Sequence, residues 1–467
     1  MIIKYSQIIE NNSSFSTSIY SEIKFDSYSL LPSFFYRDME EIDFGEEAES
    51  LNYLDESNTY FIRAGAISGG TKSSDKIETR LLLKPIFDSN TCLPLRTSIQ
   101  KQNNLKKYDL IISKDSNVGA TALLSKDLPN HMLCAALIRL PVNNPFYISA
   151  ILKHKNYRPF IKKLFARGVS MNHGKDFYLR LEIPNARRHV KKNIENLNKQ
   201  IFDLENLIEN QGIEISDLIE SHIIDNQHNK IKNINSTFNS VKKRQSRLDA
   251  CVYSKEFEEI NALLKNYKNG FNYIDEEKIK GGRTPKKERI IKKNLRIGPL
   301  WVIYDYFDDL WHADLSVRIK STSEDLSKTN NINEECILIN NRTSRGKKGE
   351  YVGKAIRYDF DRYKEGHYHQ GIYKIFNYSN IDLDVMFAFF NSDLIRRYCG
   401  KVSVGTKMKE IKIDHVIGIP IPNFTDEFKD LINKKLRSKN GILSSIYKLE
   451  DAREELDDFI SNNINSL

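Results

Sequence analysis

Residues 143 to 147 read NNPFY, and their side chains have the right chemistry to act on a nucleobase. The Asn144 amide and the Pro145 carbonyl can accept hydrogen bonds from an amine, and the Phe146 ring can stack on a base. An enzyme that modifies a base needs such groups around the base that it has taken out of the stack. The first hypothesis from the residues is therefore an enzyme acting on a base amine.

Amino-methyltransferases carry this loop as Asn/Asp-Pro-Pro-aromatic, and the stretch here lacks the second proline. Their S-adenosylmethionine site also needs a glycine-rich turn that opens a long helix, whereas AGAISGGTK (64 to 72) leads into SSDKIETR. No Walker A, H-E-x-x-H, G-x-S-x-G or PD-(D/E)xK-like pattern stands out either. We keep the methyltransferase as an alternative and expect no catalytic or metal-ligating residue.

Polar loops offer chemistry of another kind, since Arg, Lys, Asn and Ser side chains read base edges and neutralise phosphates. The first half contains SKDSN (113 to 117) and ARGVSMNHGKD (166 to 176), and the second contains NNRTSRGKKGEY (340 to 351) and GKVSVGTKMK (400 to 409). The alternative for each loop is a solvated hairpin tip. The candidate DNA-contacting residues are Lys114, Asn117, Arg167, Asn172, His173, Lys175, Arg342, Arg345, Lys347, Lys348, Lys401 and Lys407.

Composition indicates a soluble globular protein with several domains, and an ordinary basic protein is the alternative to one that binds nucleic acid. The length of 467 residues predicts two or three domains, and the net charge of +9 favours polyanionic partners. The five cysteines are scattered and indicate neither a disulfide framework nor a zinc site. The N-terminus MIIKYSQIIENN has no signal-peptide pattern, and no apolar stretch is long enough to span a membrane, so we expect a cytoplasmic location.

The elements that position the polar loops occur twice in the chain. FIRAGAI (61 to 67) aligns with NLRIGPL (294 to 300), and DLIISKDSNVGATALL (109 to 124) aligns with CILINNRTSRGKKGEYVGKA (336 to 355). Further matches are His131 with His369, GVSM (168 to 171) with GTKM (405 to 408), and IPN (183 to 185) with IPN (421 to 423). The offset between partners stays between about 227 and 238, which indicates a tandem duplication.

Helical patterns follow each IPN. In the first copy the apolar residues are spaced alternately by four and three, as in a coiled-coil seam: Val190, Ile194, Leu197, Ile201, Leu204 and Ile208. In the second copy Thr425 caps a helix, Gly441 interrupts it, and an apolar stripe follows: Ile446, Leu449, Ala452, Leu456 and Ile460. Each helix could pack on its own domain, but their equivalent positions favour antiparallel pairing with each other.

Three stretches resemble one family, the DNA specificity subunit of type I restriction-modification systems. RLDACVYSKEFEEINALL (247 to 264) is similar to the opening of the second target recognition domain in that family. IKGGRTP (279 to 285) is similar to its Gly-Gly-Lys/Arg-Thr-Pro turn, and LIISKDSNVG (110 to 119) to one of its strands. The first half shows ISGGTKS (67 to 73), without the proline, and KFDSYSLLPSFF (24 to 35) as a faint counterpart of the opening.

The resemblance implies an α/β (α+β) fold, with two duplicated target-recognition globules separated by long antiparallel coiled-coil helices in a pseudo-two-fold arrangement. The expected segments are a first recognition domain (1 to 185), a helix and linker (186 to 246), a second recognition domain (247 to 423) and a C-terminal helix (424 to 467). The helices would dock methyltransferase subunits through Ile194, Leu197, Ile201, Leu204, Ile208, Ile446, Leu449 and Leu456.

By the same resemblance, each globule would read one half of a bipartite site in double-stranded DNA. The chain would bind no cofactor, S-adenosylmethionine would sit on the methyltransferase subunits, and a restriction or translocase subunit could join the complex. The competing hypotheses are a DNA-reading adaptor of another phage-defence system and a DNA adenine methyltransferase in its own right.

At offset 238, Asn144 falls on Asp382, and Pro145 and Phe146 fall on residues of other types. Asn and Asp are both good N-caps, and proline is favoured at the first position of a helix. NNPFY is therefore interpreted as the start of a scaffold helix rather than as a catalytic loop.

Overall fold

The computed structural model describes most of the chain, and structural statements concern these residues. They are 28–30, 42–68, 92–99, 105–115, 118–161, 166–167, 172–173, 181–228, 254–284, 299–304, 307, 311–313, 315, 330–343, 352–376, 382–405 and 408–464. Two compact units divide the chain. Unit 1 comprises Met1–Asn206 and Tyr447–Leu467, and unit 2 comprises Leu207–Ile446.

Unit 1 is built from short strands and a few helices. Its strands are β1 (Tyr28–Leu30), β2 (Asp43–Phe44), β3 (Tyr60–Ile62), β4 (Cys92–Pro94), β5 (Leu110–Ser113), β6 (Thr121–Leu123), β7 (His131–Leu133), β8 (Leu137–Leu140), β9 (Ala166–Arg167), β10 (Asn172–His173) and β11 (Glu182–Pro184). Its helices are α1 (Gly65–Ser68), α2 (Pro145–Lys153), α3 (Arg158–Ile161) and the first part of α4 (Arg188–Asp225).

Two packed sheets form the centre of unit 1. The four-stranded sheet has the order β2-β8-β5-β6 and is antiparallel throughout. The three-stranded sheet has the order β4-β3-β7, in which β3 and β7 are parallel. Along β5, Leu110 and Ile112 pack among the helices, whereas Ile111 packs toward the three-stranded sheet. This alternation follows from the two-residue period of a strand, and it gives the unit two apolar layers.

Unit 2 repeats much of this arrangement. Its strands are β12 (Phe271–Asn272), β13 (Ile279–Gly281), β14 (Leu300–Val302), β15 (Asn330–Ile332), β16 (Cys336–Asn340), β17 (Arg342–Thr343), β18 (Ala355–Tyr358), β19 (Gly366–Tyr368), β20 (Ile372–Phe376), β21 (Lys409–Glu410) and β22 (Ile421–Pro422). Its helices, after the second part of α4, are α5 (Lys255–Lys265), α6 (Phe360–Tyr363), α7 (Leu383–Asn391), α8 (Asp393–Val402), α9 (Ile413–Ile417), α10 (Asp426–Arg437) and the start of α11 (Ile442–Asn463).

The four-stranded sheet of unit 2 has the order β13-β20-β16-β18, strand for strand the order seen in unit 1. Its three-stranded sheet differs in one strand. β14 and β19 are parallel, like β3 and β7, but the third strand, β15, pairs with β19, whereas β4 pairs with β3. Helix α7 packs on β16 and β18, as α2 packs on β6. The sheet order thus follows the repeat that the sequence predicts.

The hydrogen bonds correct one part of the sequence alignment. In unit 1, Leu137 N–H donates to the Cys134 carbonyl, and Cys134 N–H donates to the Ile62 carbonyl. In unit 2, Ile372 N–H donates to the His369 carbonyl, and His369 N–H donates to the Val302 carbonyl. Leu137 therefore corresponds to Ile372, an offset of 372 − 137 = 235. The alignment of His131 with His369 at 238 was wrong, because the counterpart of His369 is Cys134.

A second correction concerns FIRAGAI and NLRIGPL. Tyr60 pairs with His131 across parallel strands, and Leu300 pairs with Gly366 in the same way. The counterpart of Tyr60 is thus Leu300, an offset of 300 − 60 = 240 rather than 233, so the two sequence stretches were aligned seven residues out of register. The match of 109 to 124 with 336 to 355 fares better, since Ser113 and Asn340 pair with Leu137 and Ile372 at the expected offset of 227.

A left-handed glycine follows the equivalent strands β5 and β16. Gly119 (φ 76°) donates its N–H to the Ser113 carbonyl, and Gly353 (φ 83°) donates to that of Asn340. Positive φ is readily available to glycine alone, so the backbone closes the turn in the same way in both units. The turn holds five residues in unit 1 (114 to 118) and twelve in unit 2 (341 to 352).

Each IPN stretch forms part of a strand that pairs with a strand near the beginning of its own unit. Pro184 lies opposite Tyr28, and Pro422 lies opposite Phe271. The stretch GVSM (168 to 171) lies outside the described residues, so its alignment with GTKM stays a prediction. The two IPN matches mark equivalent structure in the two units.

The buried face of α4 in unit 1 departs from the predicted seam. Leu197 and Leu204 lie half-buried, whereas Asn198, Phe202 and Glu205 are buried. A straight helix has 3.6 residues per turn, so a face that starts on a heptad seam drifts away from it. The buried polar groups have partners: Asn198 Nδ2 donates to the Phe146 carbonyl at 2.7 Å, and Arg453 Nη2 of α11 bonds to Glu205 at 2.9 Å.

In unit 2 the second part of α4 packs against α10. Gln211 bonds to the Asn440 carbonyl, Glu214 pairs with Lys435, and the His222 ring stacks on Phe428 at 3.7 Å. Residue numbers rise along α4 while those of its partners fall, so these parts of the two helices run antiparallel. They lie outside the two apolar seams for which the sequence predicts pairing. The predicted cap is confirmed as well, because Thr425 Oγ1 accepts from Phe428 N–H.

Candidate nucleic-acid interface

A tight turn of unit 2 brings two polar side chains to the end of the four-stranded sheet. Gly282 N–H donates to the Ile372 carbonyl at 2.9 Å, and Gln370 N–H donates to Thr284 Oγ1 at 3.3 Å. A Cβ on Gly282 would lie 2.1 Å from the His369 carbonyl oxygen, so the close approach requires glycine. Arg283 and Gln370 are held on neighbouring segments with exposed side chains.

His369 adds a neutral donor to the same turn. Burial, with a smaller contribution from the Arg342 charge, lowers the pKa of His369 to about 4. Its Nδ1 accepts the Gly371 N–H at 2.9 Å, which assigns the ring proton to Nε2. The imidazole is therefore uncharged at neutral pH and supports the turn, with its ring 5.2 Å from that of Tyr304.

Arg342, a predicted contact residue, lies beside this turn. Asn341 N–H donates to the Gly371 carbonyl at 2.8 Å, and Asn341 Nδ2 donates to the Gln370 carbonyl at 3.2 Å. The guanidinium of Arg342 pairs with Glu410 at 3.2 Å. A guanidinium has five N–H donors, so this pairing leaves donors that can reach a base or phosphate.

Unit 1 has the same turn with different side chains. A Cβ on Gly45 would lie 2.0 Å from the Cys134 carbonyl oxygen, and Gly45 N–H donates to the Leu137 carbonyl, so Gly45 corresponds to Gly282. The counterpart of IKGGRTP is therefore around Gly45, not at ISGGTKS. Glu46 stands where unit 2 has Arg283, and the residue matching Gln370 at offset 235 is Ala135.

Lys114, the predicted contact residue of unit 1, occupies the position of Asn341. Its N–H donates to the Ala136 carbonyl at 2.8 Å, as that of Asn341 does to Gly371. Its Nζ pairs with Asp115 at 3.0 Å. At this offset Lys114 matches Asn341, and its partner Asp115 matches Arg342, so the two predicted cations lie one position apart in the repeat, each beside a carboxylate.

The other predicted contact residues divide into three groups. Arg167 lies in β9, paired with Asn172 of β10, and His173 follows it. Lys401 lies in α8, where its Nζ bonds to Glu256 of α5 at 2.7 Å, so it supports helix packing. The remaining candidates lie outside the described residues: Asn117, Lys175, Arg345, Lys347, Lys348 and Lys407.

The sequence interpretation did not select Arg283 or Gln370. Arg283 stood within the quoted IKGGRTP, and an arginine directly after two glycines was a signal for an exposed side chain on a rigid turn. Gln370 gave no such signal, since only the hydrogen bond from its N–H to Thr284 brings the two segments together.

The apolar residues expected to dock partner subunits lie largely inside the chain. Ile194, Ile208 and Leu449 are fully buried. Ile201 and Ile446 are also buried, and Leu197, Leu204 and Leu456 are half-buried. Their burial leaves them little surface for a partner, whereas other residues of α4 are open, such as Ile213 at 54% and Ile224 at 49%.

NNPFY begins helix α2, with Asn144 at the N-cap and Pro145 at the first position. The Asn144 side chain makes no capping bond, unlike Asp382, whose carboxylate accepts from Asp384 N–H at 2.8 Å. Phe146 is only 5% exposed. A ring buried in the core cannot stack on a flipped base, so this stretch acts as a scaffold in the structure.

Two kinds of feature are absent from the described part of the chain. It contains no group of three or more His, Cys, Asp or Glu side chains that could hold a metal ion. Among the helices described, none is both long and apolar enough to cross a membrane.

No family model and no curated protein matches the chain. Among solved structures, the S subunit of the type I restriction-modification system from M. genitalium matches with a TM-score of 0.35 and 13% identity, covering 96% of this chain and 96% of that one. The HsdS subunit from Thermoanaerobacter tengcongensis matches with a TM-score of 0.28 and 10% identity, covering 88% and 91%. A chain of a type I R-M complex studied for assembly and conformational transition matches with a TM-score of 0.29 and 9% identity, covering 89% and 96%.

Proposed function

We propose that this chain is the DNA-reading specificity subunit of a type I restriction-modification complex, with each unit reading one half of a bipartite site. The observation that carries the proposal is the repeated turn at Gly45 and Gly282, in which each glycine makes the same backbone hydrogen bond and the same close approach while the side chains differ. Sequence is read by side chains at base edges, so one frame with two sets of side chains suits two different half-sites.

The side chains on the two turns support unequal half-sites. Unit 2 offers Gln370 and Arg342, and the favoured partners of glutamine and arginine are adenine and guanine. Unit 1 offers Glu46 and Lys114, and a glutamate at a base edge accepts from the cytosine amino group. An asymmetric target follows from these differences.

The charge of the chain supports binding to the DNA backbone. A net charge of +9 attracts phosphates at long range and makes binding fall as salt rises. Both Lys114 and Arg342 are paired with a carboxylate, so a phosphate would share or replace that partner. Such exchangeable pairs permit sliding along non-specific DNA before the target is found.

Methyltransferase subunits would bind the open faces of the long helices. Ile213 and Ile224 lie eleven residues apart on α4, which is three turns, and so share one face. Those subunits would hold S-adenosylmethionine and flip the target adenine, and a translocating restriction subunit could join them. In this arrangement the chain has no turnover of its own.

Mapping of methylated adenines in cells that carry this chain with its neighbouring genes tests the proposal. The expected result is a bipartite, asymmetric motif. Exchange of residues 20 to 185 for those of a homologue should change one half of the motif and leave the other, and exchange of the second globule is the matched control. An unchanged motif after the first exchange would remove base reading from unit 1.

Two measurements separate this proposal from its alternatives. Co-purification with a methyltransferase subunit is expected here, whereas an adaptor of another defence system would bring down a different enzyme. Calorimetry of the purified chain with S-adenosylmethionine should show no binding. Binding with defined stoichiometry would instead favour a methyltransferase in its own right.

The predicted loop 340 to 351 offers a finer test. Arg342→Ala should relax one position of the motif at a cost of about 1–3 kcal/mol, if its guanidinium reads a base. Lys347→Ala should weaken binding for all sequences and lower the salt slope by about one, if it contacts a phosphate. Fluorescence anisotropy with matched and mismatched duplexes measures both.

A further inference from the structure

We infer that the turn carrying Arg283 is a fixed DNA-backbone anchor of unit 2, with the guanidinium on a phosphate, and that unit 1 has no counterpart to it. The inference rests on the proposed function, since it assumes that the chain binds double-stranded DNA. It adds to that function a residue that binds a DNA phosphate, and a difference in phosphate binding between the two units.

The turn is rigid before any ligand arrives. Gly282 is held by the 2.9 Å bond from its N–H to the Ile372 carbonyl and is packed against the His369 carbonyl. Asn330 donates from its side chain to the Gly281 carbonyl, and Gln370 N–H reaches Thr284. Contacts therefore fix the residues on both sides of Arg283, which lowers the entropy lost when its side chain binds.

Within the described residues, Arg283 makes no ion pair, unlike Arg342 nearby. Its side chain is exposed, and it has no ion pair or side-chain hydrogen bond within the described residues. Arg342, by contrast, pairs with Glu410. A guanidinium that keeps all its donors can bind a phosphate in a bidentate way without first losing a carboxylate.

The neighbours of Arg283 suit the same ligand. Gln370 is exposed, and its backbone bond to Thr284 keeps it next to the turn. The Asn341 bond to the Gln370 carbonyl, at 3.2 Å, ties Arg342 to the other side. The backbone of Gln370 thus contacts Thr284, next to Arg283, and Asn341, next to Arg342. This arrangement fits one phosphate contact next to one contact with a base or sugar.

Unit 1 reverses the charge at this position. Gly45 makes the same close approach as Gly282, and the residue after it is Glu46 rather than arginine. A carboxylate repels a phosphate, and Ala135 supplies no donor where unit 2 has Gln370. The anchor therefore belongs to unit 2 alone, and non-specific affinity should depend on Arg283 more than on the matching turn of unit 1.

The test is fluorescence anisotropy of the full chain with a short fluorescent duplex of mixed sequence. One phosphate contact changes the slope of log K against log salt by about 0.9. If the contact is purely electrostatic and vanishes near about 1 M salt, Arg283→Ala should weaken binding about 15-fold at about 50 mM KCl and about 4-fold at about 200 mM. Arg283→Lys should keep the slope.

Lys255→Ala is the matched control, because it removes the same charge from a side chain that is 88% exposed on α5. It should leave the slope within error, and thermal melting should show that both variants fold. Equal slopes for the wild type and Arg283→Ala would overturn the anchor while leaving DNA binding intact. Failure of the wild type to bind any duplex would overturn the proposed function, and the anchor with it.

Glu46→Arg should steepen the slope of log K against log salt by about 0.9, and no change in that slope would contradict the assigned equivalence of the two turns.

Discussion

Gly282→Ala places a methyl group where the His369 carbonyl oxygen lies 2.1 Å away and the Tyr368 carbonyl oxygen 2.8 Å away. Both obstacles are backbone atoms of β19 and the turn after it, so no side chain can rotate to make room. A contact of this kind has to open to about 3.0 Å, which moves the turn by about 1 Å.

The size of the effect follows from what that movement breaks. The bond from Gly282 N–H to the Ile372 carbonyl and that from Gln370 N–H to Thr284 each contribute about 1 kcal/mol. Residual overpacking adds about 1–3 kcal/mol. We expect the free energy of unfolding of unit 2 to fall by about 3–5 kcal/mol, and binding to DNA to weaken because Arg283 moves with the turn.

Urea denaturation followed by intrinsic fluorescence measures the change, with Gly281→Ala as the control. A Cβ on Gly281 would meet the Tyr373 ring at 3.7 Å, an ordinary contact, so this neighbouring variant should be neutral or slightly more stable. In unit 1, Gly45→Ala meets the Cys134 carbonyl oxygen at 2.0 Å and should behave like Gly282→Ala. If Gly282→Ala is as stable as Gly281→Ala, the close approach is not a constraint and the reasoning fails.

Three further predictions concern buried groups. Burial lowers the pKa of His131 and His369 to about 4, below the ordinary histidine pKa of about 6.5. The stability that the neutral rings support is therefore complete above about pH 6.5 and is lost as the pH falls toward 4, which urea titrations across this range should show. Glu205→Ala removes the carboxylate 2.9 Å from the largely buried Arg453 guanidinium and should cost unit 1 about 3–5 kcal/mol, whereas Glu205→Leu with Arg453→Met should restore most of it in the same titration. Burial raises the pKa of Cys336 to about 12, so maleimide at pH 8 should label it only after unfolding, as mass spectrometry can check.

Local signals in the sequence predicted local structure well. Thr425 caps α10, and Gly441 separates α10 from α11, where a Cβ would meet the Leu436 carbonyl oxygen at 2.4 Å. The strand at Leu110–Ser113 lies within the stretch singled out as strand and turn. Each of these features depends on residues within a few positions of one another, which a pattern can capture.

The register of the repeat depended on partners far away in the chain. Alignment of His131 with His369 was attractive by residue type, but strands of three residues carry too little pattern to fix a register. The backbone bonds supply what the sequence lacked: Cys134 bonds to Ile62, and His369 bonds to Val302. Insertions between the strands had shifted the offset, and residue identity alone could not locate them.

Only part of the candidate interface could be predicted, because some of its residues are positioned by segments far away in the chain. Lys114 and Arg342 could be selected as candidates because they follow recognisable strands in both halves, and their contact with DNA stays a prediction. Gly45 was missed, since its stretch FGEEA resembles no known turn and its role is set by Cys134, about ninety residues later. A close approach between two segments far apart in the chain can be seen in the structure, but it cannot be inferred from a single sequence.

The turn that Gly119 and Gly353 close has grown from five residues to twelve between the two units while the sheet order around it stayed the same. Closing the longer loop costs only about 0.8 kcal/mol more in chain entropy. Insertions at this turn therefore cost the fold little stability. Under the proposed function, in which Lys114 and Arg342 contact DNA, a lineage would acquire a new sequence preference by changing the loop length while its core stays as it was.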